Sequence, residues 1–237
     1  MPSTRNITEL PLTPADQRVA DAKAIDGPQS AKLQHISTIL RDIAPEYMDL
    51  VDRLVERLEN ARVGAQAPQV GDPMPEFLLP DEDGRLIALA DLLEQGPVAI
   101  ALLRGHWCPF CRINAAGFAE IEPTLGDAQL VAITPEVQQH RRAHKREAGA
   151  GFPFLMDMDL GYAMSLGLVV WVEDRLAELI LAAGYDIPAY QAMQGWLLPI
   201  PAVFVVGRDG IVTARRVDLD YRERMEPDEL RCAIALA

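Results

Sequence analysis

The stretch that most constrains the fold runs from Pro97 to Ile133. "PVAIALL", Pro97 to Leu103, is an uninterrupted apolar run of the length of a strand buried on both faces. A segment of helical character, about Pro109 to Glu120, follows it, and then comes the shorter apolar run "LVAI", Leu130 to Ile133. Strand, helix and strand in that order form a crossover unit. Its two strands lie parallel, because an antiparallel pair needs only a hairpin. The chain is therefore expected to be α/β, with a central sheet flanked by helices.

The rest of the chain supplies the flanks. From Ser30 to Asn60 apolar residues recur with helical period, Leu33, Ile36, Ile39, Leu40 and Ile43, then Met48, Leu50, Val51, Leu54, Val55 and Leu58. Pro45 suits the first turn of the second helix and would break the first. Two amphipathic helices cannot bury their stripes alone, so they pack on the following domain or on another subunit, which admits a homodimer. "VGAQAPQVGDPMP", Val63 to Pro75, reads as a linker.

"RLIAL", Arg85 to Leu89, follows an Asp83-Gly84 turn, and Thr134-Pro135 reads as an N-cap and first turn opening a helix over Glu136 to Ala148. Asp157 to Trp196 is helical and loop-rich, and its Trp171, Tyr185 and Trp196 read as packing residues. "PIPAVFVVGRDGIVTARRV" is a hairpin turning at Arg208-Asp209-Gly210, and Pro227 starts a last helix with Leu230, Ala233 and Ile234 on its apolar face. Cys232 reads as a core residue of that helix.

Charge excludes some functions. With 22 Lys+Arg against 35 Asp+Glu the net charge is −13, so the surface repels phosphate backbones and anionic lipid. Neither nucleic acid nor a membrane is an expected partner. The basic run "RRAHKR", Arg141 to Arg146, reads as a solvated helix face. No apolar run has the length of a membrane span, and "MPSTRNITELPLTPADQ" carries no signal-peptide core, so the expectation is a cytoplasmic protein. Three cysteines are too few for a disulfide scaffold.

Two of them stand in "RGHWCPFCRIN", Arg104 to Asn114. Cys108 falls just beyond an apolar strand and at the opening of the next helix, where α/β sheets form their sites. Unsatisfied N–H groups there favour thiolate over thiol. Residues three apart share a helix face, so Cys108 and Cys111 are close enough to close a disulfide, and Pro109 stiffens the turn. Arg104, ending the strand, either adds positive charge beside the sulfurs or faces solvent. A zinc site is the rival reading, since His140 and His144 are four apart on a predicted helix. The 28 residues between Cys111 and His140 hold a complete helix and strand, which makes ordinary surface histidines the simpler reading.

"VGDPMPEFLLPDEDGRLIALADL", Val70 to Leu92, the run into "RGHWCPFC" and "PIPAVFVVGRDGIV" together resemble the peroxiredoxin-like branch of the alkyl hydroperoxide reductase and thiol-specific antioxidant (AhpC/TSA) family. The resemblance spans roughly Ala67 to Ala237. It implies a thioredoxin-like fold over 67–237 (a mixed central sheet flanked by helices), behind a helical N-terminal extension, 1–66. It also implies thiol-dependent reduction of peroxides, an antioxidant activity without a bound cofactor or metal, with electrons from a small thiol or a thioredoxin-type donor. The alternative is thiol-disulfide exchange of thioredoxin or glutaredoxin type on protein or glutathione disulfides. A non-enzymatic zinc-binding or interaction module is remoter.

Two registers compete at the cysteines. Trp107-Cys108-Pro109-Phe110-Cys111 is similar to thioredoxin-type sites, whose first cysteine attacks and second resolves. The peroxiredoxin pattern Pro-x3-Thr-x2-Cys instead sets Arg104 at its proline, Cys108 at its threonine and Cys111 at the attacking cysteine. Both lead to a redox-active Cys108–Cys111 disulfide. The resemblance further places Pro201, with Pro199 as the near competitor, as a cis-proline facing the pair.

Overall fold

The computed structural model describes residues 14–237. Three helices come first: α1 (Pro14–Lys23), α2 (Gln29–Ile43) and α3 (Pro45–Asn60). A hairpin, β1 (Leu78–Pro80) and β2 (Leu86–Ala88), turns at Asp83-Gly84 and leads into the short α4 (Leu89–Leu93). The crossover unit follows as expected: β3 (Val98–Leu102), α5 (Pro109–Ile121) and β4 (Gln129–Thr134), the strands parallel. Next come α6 (Gln138–Ala148), β5 (Phe154–Met156) and α7 (Gly161–Ser165). They are followed by β6 (Val169–Trp171), α8 (Asp174–Ala182) and α9 (Ile187–Gln191). The chain closes with β7 (Leu197–Pro199), β8 (Ala202–Val206), β9 (Val212–Val217) and α10 (Pro227–Ile234).

Five strands form the central sheet in the order β5-β4-β3-β8-β9; β3, β4 and β5 are parallel, and β8 and β9 antiparallel. β3, in the middle, is buried along its whole length, which is why its sequence shows no polar alternation. Its residues still divide by face. Ala99, Ala101 and Leu103 join the core under α5 and the N-terminal helices, while Val98, Ile100 and Leu102 join the core under α4 and α7.

Pro45 opens α3 as expected. Most of the apolar stripes of α2 and α3 are covered by the chain's own domain: Leu33, Ile36, Leu50, Val51, Leu54 and Leu58 are buried in the core shared with Phe110 and Phe118 of α5, while Ile43 at the end of α2 stays 60% exposed. At Ile36, 0% exposed, truncation to alanine would cost roughly 2–5 kcal/mol.

Several expectations are corrected. Residues 63–75 are docked rather than free: Gly71 N–H donates to Val212 O at 2.9 Å and Met74 N–H to Gly210 O at 2.9 Å. The helix expected from Glu136 starts at Gln138 with Val137 as its N-cap, because Thr134 completes β4 and the Glu136 carboxylate is drawn inward to backbone N–H groups. Its basic run is solvated only in part: Arg142 and Arg146 are exposed, but Arg141 is buried, donating to the carbonyls of Glu136, Pro80 and Phe154 at 3.0 Å each, and His144 is buried against Phe154. Cys232 is exposed, since only Leu230 and Ile234 of α10 are turned fully inward. Trp171 is also exposed, whereas Tyr185 and Trp196 pack against the core.

Candidate active site

The chain leaves β3 at Leu102 and reaches α5 through Leu103 to Trp107. Cys108 is the helix N-cap, with extended backbone, and Pro109 occupies the first helical position, where its missing N–H costs nothing. Cys111 lies within the first turn. Both cysteines are free thiols and both are buried, Cys108 at 1% exposure and Cys111 at 0%.

The two sulfurs have different surroundings. Arg104 N–H donates to Cys111 Sγ at 3.3 Å, and the Arg224 Nη2 stands 3.7 Å from the same sulfur. Burial opposes ionisation of Cys111. The hydrogen bond from the Cys108 thiol, the Arg224 and Arg104 charges and the Arg104 N–H outweigh it and bring that thiol well below its ordinary range. Cys108 is pushed well above it by burial first, then by sharing its proton with the Cys111 sulfur and by the charge there. Of the two sulfurs, Cys111 is thus the better placed to carry negative charge and Cys108 to keep its proton.

Arg104 is no solvent-facing strand-end arginine. It is 4% exposed, its guanidinium carbon lies 3.8 Å from the Tyr221 ring centroid and 4.8 Å from that of Trp107, and its carbonyl accepts from Trp107 Nε1 at 3.2 Å. Tyr221 is wedged between this cation, the edge of Phe110 and the hydroxyl of Tyr47, 2.5 Å from its own.

Behind the loop lies Glu136, 0% exposed, whose Oε2 accepts from the His106 N–H at 2.8 Å. A side chain at Gly105, where φ is 139°, would put its Cβ 2.6 Å from that carboxylate, so the position demands glycine. Burial pushes the Glu136 carboxyl up to about 8, against the hydrogen bond from His106 and with the help of the Cys111 charge.

On the other side an ion cluster fastens the loop to α1 and α6. His106 Nε2 and Glu147 Oε2 are 2.7 Å apart, Arg112 Nε donates to Glu147 Oε1 at 3.0 Å, and Arg112 Nη2 reaches Asp16 Oδ1 at 2.8 Å. Burial works against the Glu147 carboxylate, yet His106 and Arg112 hold it well below the usual range.

A cavity of about 480 Å³ opens onto Cys108, which is part of its wall; Cys111 is not. Arg104, Trp107 and Tyr221 form the floor around the sulfur, Leu40 and Tyr47 come from the N-terminal helices, and Leu179 and Tyr185 come from the segment 157–196. The wall is mostly apolar.

Pro201 lacks the expected cis bond. The described residues contain no cis peptide bond, so Ile200-Pro201 is trans. Pro201 lies one residue beyond the Leu102–Ala202 pair of β3 and β8, and its carbonyl is taken by the Asp218 N–H at 2.9 Å. It is buried beside the loop and is absent from the cavity wall. Nor do the zinc-spaced residues converge: among the described residues no three His, Cys, Asp or Glu side chains gather around one point that could hold a metal. His140 instead stacks on Tyr190, ring centroids 4.0 Å apart.

The AhpC/TSA family model matches residues 70–215. The chain belongs to the AhpC/TSA family. No curated protein matches it. Among solved structures it is similar to peroxidoxin BcpB from Mycobacterium tuberculosis, at TM-score 0.56 and 19% identity over 71% of this chain and 97% of that one. It is also similar to a peroxiredoxin-like protein from Aquifex aeolicus, at TM-score 0.57 and 14% identity over 72% and 88%. A third likeness is to peroxiredoxin 6 of Arenicola marina, at 0.55 and 16% over 70% and 72%. These likenesses carry the fold, which is thioredoxin-like.

The family match contains Arg104, Cys108, Cys111 and Glu136, whereas Tyr47, Tyr221 and Arg224 lie outside it. Sequence reading missed all of the last three and Glu136. Tyr221 and Arg224 sit in "DLDYRERMEPDEL", a stretch without periodicity or motif, and Tyr47 is one polar-tipped residue on an otherwise regular helix. Among the described residues no helix is long and apolar enough to cross a membrane.

Proposed function

We propose that this protein is a thiol-dependent oxidoreductase that reduces peroxides, with Cys108 attacking and Cys111 resolving. The observation that carries this reading is the setting of Cys108: a 1% exposed sulfur in the wall of a confined apolar cavity, with Cys111 behind it and outside that wall. A protein disulfide has to bring two chain segments onto the attacking sulfur. A peroxide carries its reactive bond at its end and needs only a narrow approach.

The chemistry follows from the shared proton. As substrate arrives, the Cys108 proton passes to Cys111, and the Cys108 thiolate, at the helix N-terminus and under Arg104, attacks the terminal peroxide oxygen. A sulfur–oxygen bond forms, the O–O bond breaks, and the remaining oxygen takes up a further proton, supplied in the end by solvent, and leaves as alcohol or water. Cys111 then attacks the Cys108 sulfenic acid; its proton goes out with the hydroxyl as water, and a Cys108–Cys111 disulfide remains. Two equivalents of a thiol donor restore the pair. A small thiol fits the cavity, while a thioredoxin-type donor would require the α3 and α8 edges to part. Residues 1–66, in this reading, are an extension whose described part, 14–66, roofs the thioredoxin-like domain 67–237, and the setting is cytoplasmic.

The cysteine variants test this. In Cys111→Ser, limited hydrogen peroxide should leave a sulfenic acid on Cys108 that dimedone traps, without turnover. In Cys108→Ser both adduct and turnover should vanish. An adduct on Cys111 in Cys108→Ser would reverse the order of attack, and turnover of a glutathione mixed disulfide without any peroxide reaction would replace the reading with disulfide exchange.

A further inference from the structure

The cavity over Cys108 holds hydrogen-bond donors that have nothing to donate to. Arg104 is 96% buried, and its Nη1 has no partner among the described residues. Tyr47 and Tyr221 meet at 2.5 Å through their hydroxyls, and among the described residues neither hydroxyl makes another hydrogen bond. Two phenols carry two hydrogens, and the bond between them uses one. One O–H is therefore unspent, in the same wall as the Cys108 sulfur. The one carboxylate on the wall, Glu46, is committed to Arg175 at 2.7 and 3.0 Å. Buried donors without acceptors are costly, and the natural remedy is a ligand that brings an acceptor. Beside a sulfur that opens an O–O bond, the atom that best fits two such donors is the oxygen on which negative charge develops.

We propose that Tyr47, backed by Tyr221, is the acid that protonates the leaving oxygen when Cys108 opens a peroxide bond, and that Arg104 Nη1 binds the same oxygen. The proposal rests on the peroxide reading and adds to it a catalytic residue from outside the family match, since Tyr47 and Tyr221 both lie beyond residues 70–215. With Tyr221 donating to Tyr47, the Tyr47 O–H is the one left for substrate, and that hydrogen bond together with the Arg104 charge makes Tyr47 the readier of the two phenols to give up its proton. Burial raises both phenols, which keeps them in the protonated, donating form at neutral pH.

The balance closes without a further reactant. Cys108 takes the terminal hydroxyl of the peroxide as its sulfenic acid, the O–O electron pair leaves on the alkoxide, and the Tyr47 proton makes it the alcohol. The tyrosinate left at Tyr47, held by the Tyr221 O–H and the Arg104 charge, takes a proton back from solvent once the alcohol has left.

The test varies the leaving group. An alkoxide must be protonated as it departs, whereas a carboxylate need not be. Reduced enzyme is mixed in single turnover with tert-butyl hydroperoxide and, separately, with peracetic acid. In Tyr47→Phe the hydroperoxide rate should fall about 100-fold, the lower range for loss of a general acid, and the peracid rate much less. Tyr221→Phe, which leaves the Tyr47 hydroxyl in place, should show the same selectivity with a smaller loss. Equal losses on both substrates would make the pair structural and overturn the proposal, as would no loss on either. If the wild-type protein reduces neither substrate, the peroxide reading itself falls and this one with it.

Discussion

Glu136→Gln should change how stability depends on pH. The Glu136 carboxyl is 0% exposed; Oε2 accepts from the His106 N–H at 2.8 Å, and Oε1 lies beside the Thr134 hydroxyl without a good hydrogen bond. Burial raises it from 4.5 to about 8. Between those values the unfolded chain gives up a proton that the fold keeps, so stability falls as pH rises through the window. The slope is up to 1.4 kcal/mol per pH unit, and the whole span is worth at most about 5 kcal/mol. Glutamine keeps the shape and the acceptor and has no proton to lose. Urea unfolding of the reduced proteins at steps from pH 5 to 8.5 should show the variant gaining about 4 kcal/mol on the wild type, with the difference level above that. Other titrations, His144 included, are common to both proteins and cancel in the difference. Parallel stability curves for the two proteins would refute the reasoning, because they would mean that Glu136 ionises in the fold as freely as in the unfolded chain.

Two other perturbations follow from the same geometry. Burial lowers His144 to about 3, so the fold holds it neutral while the unfolded chain protonates below about 6.5, and stability is lost as pH falls through that window. His144→Leu should therefore lose less stability than wild type between pH 7 and pH 4, measured by denaturant unfolding. Arg224→Met removes a cation 3.7 Å from Cys111 Sγ and should raise the apparent pKa of the cysteine pair by about 1–3 units, read from thiolate ultraviolet absorbance across pH.

Local signals in the chain carried the crossover unit, the hairpin at Asp209-Gly210 and the helix started by Pro45, because each is written in consecutive residues: an apolar run, a turn pair, a proline in a first turn. The cysteines were equally legible as a pair at a helix opening. What escaped reading is what the fold assembles from afar. Arg224 is 113 residues from Cys111, and Tyr47 is 174 residues from Tyr221. Arg141 and His144 deceived for a related reason: a basic run signals solvent, and only the carbonyls of Pro80 and Phe154 and the ring of Phe154 make the inward side of α6 habitable for them. Cys232 erred in the other direction, since an eight-residue helix has room for few inward positions and Leu230 and Ile234 take them. At Pro201 the resemblance implies a cis bond, whereas the bond is trans and the Pro201 carbonyl accepts from the Asp218 N–H.

The cavity over Cys108 is assembled from two sources. The Cys108 sulfur, Arg104 and Leu179 belong to the segment that the family shares, whereas Leu40 and Tyr47 of the N-terminal helices and Tyr221, between β9 and α10, lie outside it. Changes at Leu40, which touches neither cysteine through a hydrogen bond, can alter which molecules reach the sulfur while the Arg224 and Arg104 contacts to Cys111 stay intact. Such a chain can acquire a new substrate without reinventing its reaction.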